Sequence, residues 1–336
     1  MKSDKSFLIA NVGSTSKRYS VFSENGEEIL NEKFKIGSKN FESTAEVIQS
    51  VMRKIDFIAV RIVAPGEYFQ KSRVIDGEFM KKIQEAEKIA PLHVRQVISE
   101  IRELRKNFPR AKIFGISDSE FHSTIPEKSR IYGIDFSDTK KFGIYRYGYH
   151  GISAKSTLKK IPKYKRIIVC HLGGGSSVTA VLNGKSIDTS MGFSPLSGLI
   201  GTTRAGDIDF QAIKYLAAKK KMNFHEMENY LNFDSGFVGL CGEWDFKKIT
   251  ERYNKGDKRA KLAVDFFTDK IKKQIGSYVA AMNGVDAIIF TGAIGFGSPF
   301  ARKKICENLD LIKKAKILFL ESNEERQMLE EMRKLI

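Results

Sequence analysis

RIIVCHLGGGSSVTAVLNGKSIDTSMGFSPLSGLIGTTRAGDID, residues 166–209, is the stretch on which the fold turns. The β-branched run Ile167, Ile168 and Val169 ends in Cys170 and His171. Leu172 and three glycines, Gly173, Gly174 and Gly175, follow, and after Ser176 and Ser177 a second apolar run spans Val178 to Leu182. The pattern predicts strand, tight turn, strand. Three glycines let a backbone approach a ligand closely, and successive N–H groups flanked by hydroxyls make a concavity suited to phosphate oxygens. A glycine turn that merely joins two strands is the plainer alternative for a lone GGG.

The same shape occurs near the start of the chain. Residues 7–29, FLIANVGSTSKRYSVFSENGEEI, run apolar strand, Gly-Ser-Thr-Ser turn, second strand, then Asn25-Gly26. The central stretch ends its second strand at Asn183-Gly184. Two hairpins of one design in register predict a duplicated domain, with two Gly/Ser loops to hold a polyphosphate.

The 336 residues are 42% hydrophobic, enough for two cores of ordinary domain size. No apolar run reaches the length of a membrane span, and MKSDKSFLIANVG enters its first strand without a signal-peptide pattern, so a cytoplasmic protein with no membrane partner is expected. Cys170, Cys241 and Cys306 lack disulfide or metal spacing. A net charge of +17 invites a nucleic-acid reading. The lysines are instead scattered as short clusters with no recognisable binding motif, so attraction of small anions is the expectation, with no nucleic-acid partner.

Taken in order, the chain alternates strands and helices. Helical spacing covers Ser43 to Ile55, Gly77 to Ile89, Val94 to Asn107, Asp207 to Lys221, Asn223 to Leu231 and Asp257 to Met282, while Gly236 to Gly242 reads as a loop. Phe57 to Val63 is an apolar strand interrupted by Arg61, which is either an outward-facing strand residue or an anion clamp at a strand end. The strand Lys112 to Ile116 delivers Asp118 and His122 to its carboxyl end, where open α/β sheets place ligands. Of five histidines, His93, His122, His150 and His171 fall at expected strand ends or turns, which predicts a shared site. Asp286 to Phe290 is a strand followed by a glycine turn, Thr291 to Gly297, and a helix opened by Ser298-Pro299. After the last strand, Lys316 to Leu320, Ser322 and Glu325 fit a capping box, which leaves Glu324 free for a metal.

The segments NVGSTS, RIVAPGE, APLH, DSEFH, YGYHGIS, HLGGGSSV, NGKSIDTSMGFSPLSGLIGTTRAGDID and FTGAIGFGS together resemble the acetate kinase family, in collinear order over nearly the whole chain. The resemblance implies an α/β, two-domain actin-like ATPase fold (ribonuclease H-like) with duplicated cores. It places an N-terminal lobe at 1–122 plus 323–336 and a C-terminal lobe at 123–322. It also implies reversible transfer of the γ-phosphoryl of ATP to acetate, with ATP/ADP as co-substrate, Mg²⁺ or Mn²⁺ as metal, and a homodimer. A propionate- or butyrate-type carboxylate kinase and a catalytically weak ATP-binding homologue are the alternatives.

By the same resemblance, Arg61 and Arg204 clamp carboxylate and phosphoryl oxygens, His150 donates a hydrogen bond to developing charge, and Asp118 is the active-site acid. Asn11 and Glu324 match metal positions. Val63, Leu92, His93, Tyr149 and Pro195 match the carboxylate and acyl site. Arg18, His171, Leu172, Gly173, Gly174 and Gly175 match the phosphate site, and Asp245, Phe246 and Lys247 with Gly292, Ala293, Ile294, Gly295 and Phe296 the nucleoside site. The chain departs from the family pattern at Lys17-Arg18, Ala64-Pro65, Ala154, Trp244 to Lys247 and Phe296-Gly297, mostly on the nucleotide side.

Overall fold

A computed structural model describes residues 5–13, 16–35, 41–51 and 54–336. Ser14 and Thr15 of the first Gly/Ser loop lie outside the described residues. The chain divides into two compact units, one of Met1–Ser123, Gly151–Ser156 and Asn323–Ile336, the other of Thr124–His150 and Thr157–Ser322.

The first unit is built on a six-stranded sheet from β1 (Phe7–Val12), β2 (Ser16–Phe22), β3 (Glu28–Lys35), β4 (Phe57–Ile62), β5 (Arg73–Val74) and β6 (Lys112–Ser117), ordered β3-β2-β1-β4-β6-β5. β1 runs parallel to β4, and β4 to β6, so these strands are covered on both faces and read as near-continuous apolar runs. Successive side chains alternate between the faces. Leu8, Ala10, Ile58, Val60 and Ile62 pack with the helices Gly77–Glu87 and Pro91–Asn107, whereas Phe7, Ile9, Ala59, Phe114 and Ile116 pack with Met328, Leu329 and Met332 of the helix Glu324–Arg333. Continuing that parity puts Asn11, Arg61 and Asp118 on the same face as the C-terminal helix, at the carboxyl ends of three parallel strands.

The second unit carries β7 (Arg166–Leu172), β8 (Ser176–Leu182), β9 (Lys185–Thr189), β10 (Ala287–Thr291) and β11 (Lys316–Phe319) in the order β11-β10-β7-β8-β9. An antiparallel three-strand meander followed by parallel β7, β10 and β11 repeats the β3-β2-β1-β4-β6 core of the first unit. The expected duplication is therefore present. At Asn183-Gly184 both residues take positive φ, the signature of a tight hairpin, while Asn25-Gly26 sits in a longer turn with only Gly26 left-handed. The long helix Lys258–Ala281 buries Ala260, Val264, Phe267, Ile271, Ile275 and Tyr278, one helical stripe, against this sheet's core.

Some local expectations are corrected. Gly236 to Gly242 is a short helix, Gly236–Cys241, because Phe237 and Cys241, one turn apart, both enter the core beside Phe246 and Phe267. The glycine turn expected after β10 is a helix, Gly292–Gly297. His93 lies in the first turn of the helix Pro91–Asn107, which begins at its proline, rather than in a turn or strand end before the helix. The side chain of His93 lies outside the described set.

Candidate active site

In the first unit the site grows from the strand parity above. Arg61 Nη2 donates to Asp118 Oδ2 at 2.8 Å, and its Nη1 donates to Asn11 Oδ1 at 3.2 Å and Glu324 Oε2 at 3.3 Å. Asn11 in turn donates through Nδ2 to Glu324 Oε2 at 3.0 Å and to Glu325 Oε1 at 2.8 Å. Arg61 is 8% exposed and Asp118 1%, so this is a buried ion-pair network and not an outward-facing strand arginine. Burial alone would lower the Arg61 pKa; the Asp118 and Glu324 carboxylates outweigh it and hold that pKa raised, which keeps the guanidinium charged.

The C-terminal helix also corrects the expected capping box. Asn323, not Ser322, is the N-cap, accepting from the Arg326 backbone N–H at 2.9 Å. Glu325 turns inward to Asn11 and to Arg18, whose Nη1 lies 3.4 Å from Glu325 Oε2. Glu324 is held by Asn11 and Arg61. Across β2 the two basic neighbours part company: Lys17 pairs with the buried Glu100 at 2.6 Å, together with the Tyr19 hydroxyl, while Arg18 points to the Asn11 face. Alternation along the strand thus leaves Arg18 as the cation on the site side.

Among the described residues no group of three or more His, Cys, Asp or Glu is placed to hold a metal ion. The donor set at Asn11 and Glu324 is of the chemical type that Mg²⁺ takes, with Arg61 Nη1 donating to both residues here. Its atoms are hard oxygens, and that ion takes only one or two protein carboxylates, completing its shell with water and phosphate.

In the second unit, three segments meet at the glycine loop between β7 and β8. His150 sits at φ 61°, in the left-handed region, directly before the helix Gly151–Leu158. Its Nδ1 lies 3.0 Å from Ser177 Oγ, and its ring stacks on His171 with centroids 4.1 Å apart. The turn carrying Arg204 is tied to the loop by Thr202, whose N–H and hydroxyl both donate to Gly174 O, at 3.0 and 3.2 Å. A Cβ built on Gly175 would lie 3.0 Å from Arg204 Nη1, 3.4 Å from His150 Cε1 and 3.5 Å from His150 Nε2. Gly175 is therefore the point at which the guanidinium and imidazole tips converge, and any side chain there would crowd both. Arg204 is 7% exposed, so its charge acts in a largely desolvated setting.

The remaining expected residues distribute as follows. Val63 and Leu92 are half-buried in the first unit; Tyr149 and Pro195 are buried in the second, with the Tyr149 hydroxyl donating to Phe193 O at 2.8 Å. Phe290 and Thr291 pair with Cys170 and His171, so Gly292, Ala293, Ile294, Gly295 and Phe296 start level with Leu172 and the glycine loop. Phe296 is 41% exposed, and Arg302 Nη1 clamps its segment by donating to Gly295 O and Phe296 O. Asp245 caps the helix Phe246–Asn254 by accepting from Lys247 N, Phe246 packs in the core, and Lys247 is exposed. Sequence reading missed Glu325 and Thr202 as members of the site, and took Ser177 only as a hydroxyl beside the glycine turn, not as a partner of His150. Their signal was adjacency to Glu324, Gly175 and Arg204, which alone does not say which way a side chain turns.

Comparison with known proteins bears on this arrangement. Residues 37–328 match a model described as the Acetokinase family. An acetate kinase of Carboxydothermus hydrogenoformans is 42% identical over 268 residues, 78% of this chain and 67% of that protein. One from Agathobacter rectalis is 36% identical over 339 aligned positions, covering 89% and 85%. The solved structure of a propionate kinase from Francisella tularensis superposes with a TM-score of 0.90 at 31% identity, covering 99% of this chain and all of that one.

Proposed function

The chain belongs to the acetokinase family, and from that premise and its site residues we propose that it phosphorylates acetate with ATP to give acetyl phosphate and ADP. The single observation that carries the reading is the meeting of Arg204 Nη1 and His150 Nε2 over Gly175. A guanidinium and an N–H donor over a glycine loop suit a transferring phosphoryl group, whose charge spreads over three equatorial oxygens.

In this mechanism an acetate oxygen forms a bond to the γ-phosphorus while the bond from that phosphorus to the β–γ bridging oxygen breaks, and ADP leaves. Arg61 binds the carboxylate and Asp118 fixes the Arg61 fork. Arg204 and His150 neutralise the phosphoryl oxygens. Gly173 to Gly175, Leu172, His171 and Arg18 line the phosphates. Gly292 to Phe296, with Asp245 to Lys247, take the nucleoside. Asn11 and Glu324 would hold Mg²⁺, which when bound supplies charge neutralisation at the phosphate oxygens. Val63, Leu92, His93, Tyr149 and Pro195 shape the acyl site. The buried, hydrogen-bonded Tyr149 favours a short chain, and the likeness to a propionate kinase keeps propionate as the second substrate to test. A homodimer is the proposed assembly, supported by the exposed Phe210, Tyr215 and Phe224 in the second unit.

Trapping acyl phosphate as hydroxamate, with ATP, Mg²⁺ and a panel of acetate, propionate and butyrate, tests the reaction. Acetate should be the best acceptor, and Arg204→Ala should lower kcat by about 10²- to 10³-fold. Equal background from wild type and Arg204→Ala would end the proposal.

A further inference from the structure

Ser177 occupies a position in the second unit that the proposed chemistry does not use. It lies on β8 opposite His171 and is 1% exposed. Its hydroxyl has one hydrogen-bond partner among the described residues, His150 Nδ1 at 3.0 Å. A serine hydroxyl can donate or accept, and a neutral imidazole carries its proton on either nitrogen, so distance alone admits two arrangements. Burial chooses between them. If Nδ1 carried the proton and donated, the Ser177 hydroxyl hydrogen would be sealed from water with no acceptor, an arrangement that folded proteins avoid. If Ser177 donates to Nδ1, that hydrogen is satisfied and the imidazole proton moves to Nε2. Nε2 is the nitrogen beside Gly175, where it meets Arg204 Nη1.

We infer that Ser177 is a positioning residue that holds His150 in its Nε2–H tautomer, so that the ring presents a donor and not an acceptor at Gly175. The stacked His171 ring, 4.1 Å away, fixes the plane of the imidazole, and Ser177 fixes its proton. The logic is that of a group behind a catalytic histidine that sets which nitrogen faces the reaction. This inference deepens the proposed role of His150 and rests on it for its kinetic consequence, though the tautomer itself does not.

Long-range ¹H–¹⁵N correlation spectra of the full-length, ¹⁵N-histidine-labelled protein read the tautomer directly, with the His150 signals assigned by their loss in His150→Gln. Wild type should show a single Nε2–H form and Ser177→Ala a mixture of both neutral forms. An Nδ1–H form in wild type, or an unchanged spectrum in Ser177→Ala, overturns the inference. In the hydroxamate assay Ser177→Ala should lower kcat about 10- to 100-fold, with KM for ATP and acetate within about twofold. Ser177→Thr, which keeps the hydroxyl, should recover most of the loss; an unaltered kcat in Ser177→Ala also counts against it. A wild type inactive on every carboxylate would sink the proposed reaction while the spectra still decide the tautomer. If Ser177→Ala does not fold, the wild-type spectrum alone supports or overturns the assignment.

Discussion

Arg61 has Asp118 on one amino group and Asn11 and Glu324 on the other, in a setting almost closed to water. A buried pair of this kind contributes little net stability, yet removing one partner strands the other as an uncompensated charge. Arg61→Ala is expected to lower unfolding stability by about 3–5 kcal/mol, read from urea melts, so its loss of activity has to be separated from loss of fold. Gly175→Ala is the cleaner probe of the reaction. Its methyl group would lie 3.0 Å from Arg204 Nη1 and 3.4 Å from His150 Cε1, pushing both tips off their common point without disturbing a core. Displacing reacting groups by a fraction of an ångström to an ångström costs up to about 10²-fold in rate, so kcat should fall at least tenfold while the melting temperature moves little. A kcat equal to wild type would mean that the space over Gly175 is not where the phosphoryl group sits.

At the scale of elements, the C-terminal helix Glu324–Arg333 does two jobs. It closes one face of the first sheet with Met328, Leu329 and Met332, and its first turn brings Glu324 and Glu325 to Asn11, Arg61 and Arg18. Because Asn323 and not Ser322 caps it, Asn323→Ala should destabilise the protein by about 1 kcal/mol and Ser322→Ala by less than about half that. Further along, Glu331 meets Lys155 at 2.8 Å and Lys334 at 2.8 Å. Burial pushes the Glu331 pKa up, but the two lysines more than offset it and hold it below the ordinary value of 4.5. A carboxylate with a depressed folded pKa adds stability that is complete above its unfolded pKa and is lost as pH falls through the folded one. The stability gap between wild type and Glu331→Gln should therefore be widest near about pH 7 and shrink steadily below the usual glutamate range. A gap that stays constant down to acid pH would show that the lysines do not set its ionisation.

For the whole molecule, the charge of +17 is the property that no single site explains. It is spread over the surface and should act as a long-range attraction for anions, a contribution that salt screens. Raising ionic strength from about 0.05 to 0.5 M is expected to increase KM for ATP several-fold with kcat nearly unchanged. Sedimentation should give twice the 38.0 kDa chain mass if the proposed homodimer forms. Phe224→Glu, at a residue 89% exposed, should shift that equilibrium to monomer if this face is the interface. Among the described residues, no helix is long and apolar enough to cross a membrane.

Local and long-range interactions determine different parts of this protein. Strand, glycine-turn and strand patterns, the repeated hairpin, and the apolar runs of β1, β4, β7 and β10 are local and periodic. Backbone sterics and burial act on them within a few residues, so the duplicated α/β architecture, and the residues resembling the acetokinase pattern, could be read directly from the chain. Short elements were not readable in this way: Gly236–Cys241 and Gly292–Gly297 are helical because their apolar side chains find partners far away in sequence. Nor could the chain alone say that Glu325 turns inward while Asn323 caps, that Lys17 and Arg18 diverge, or that Ser177 reaches His150. Those choices depend on which face of a strand or helix meets which neighbour, with separations of up to 314 residues between bonded partners. Only packing in three dimensions decides them, because a hydrogen bond is made or lost over less than an ångström.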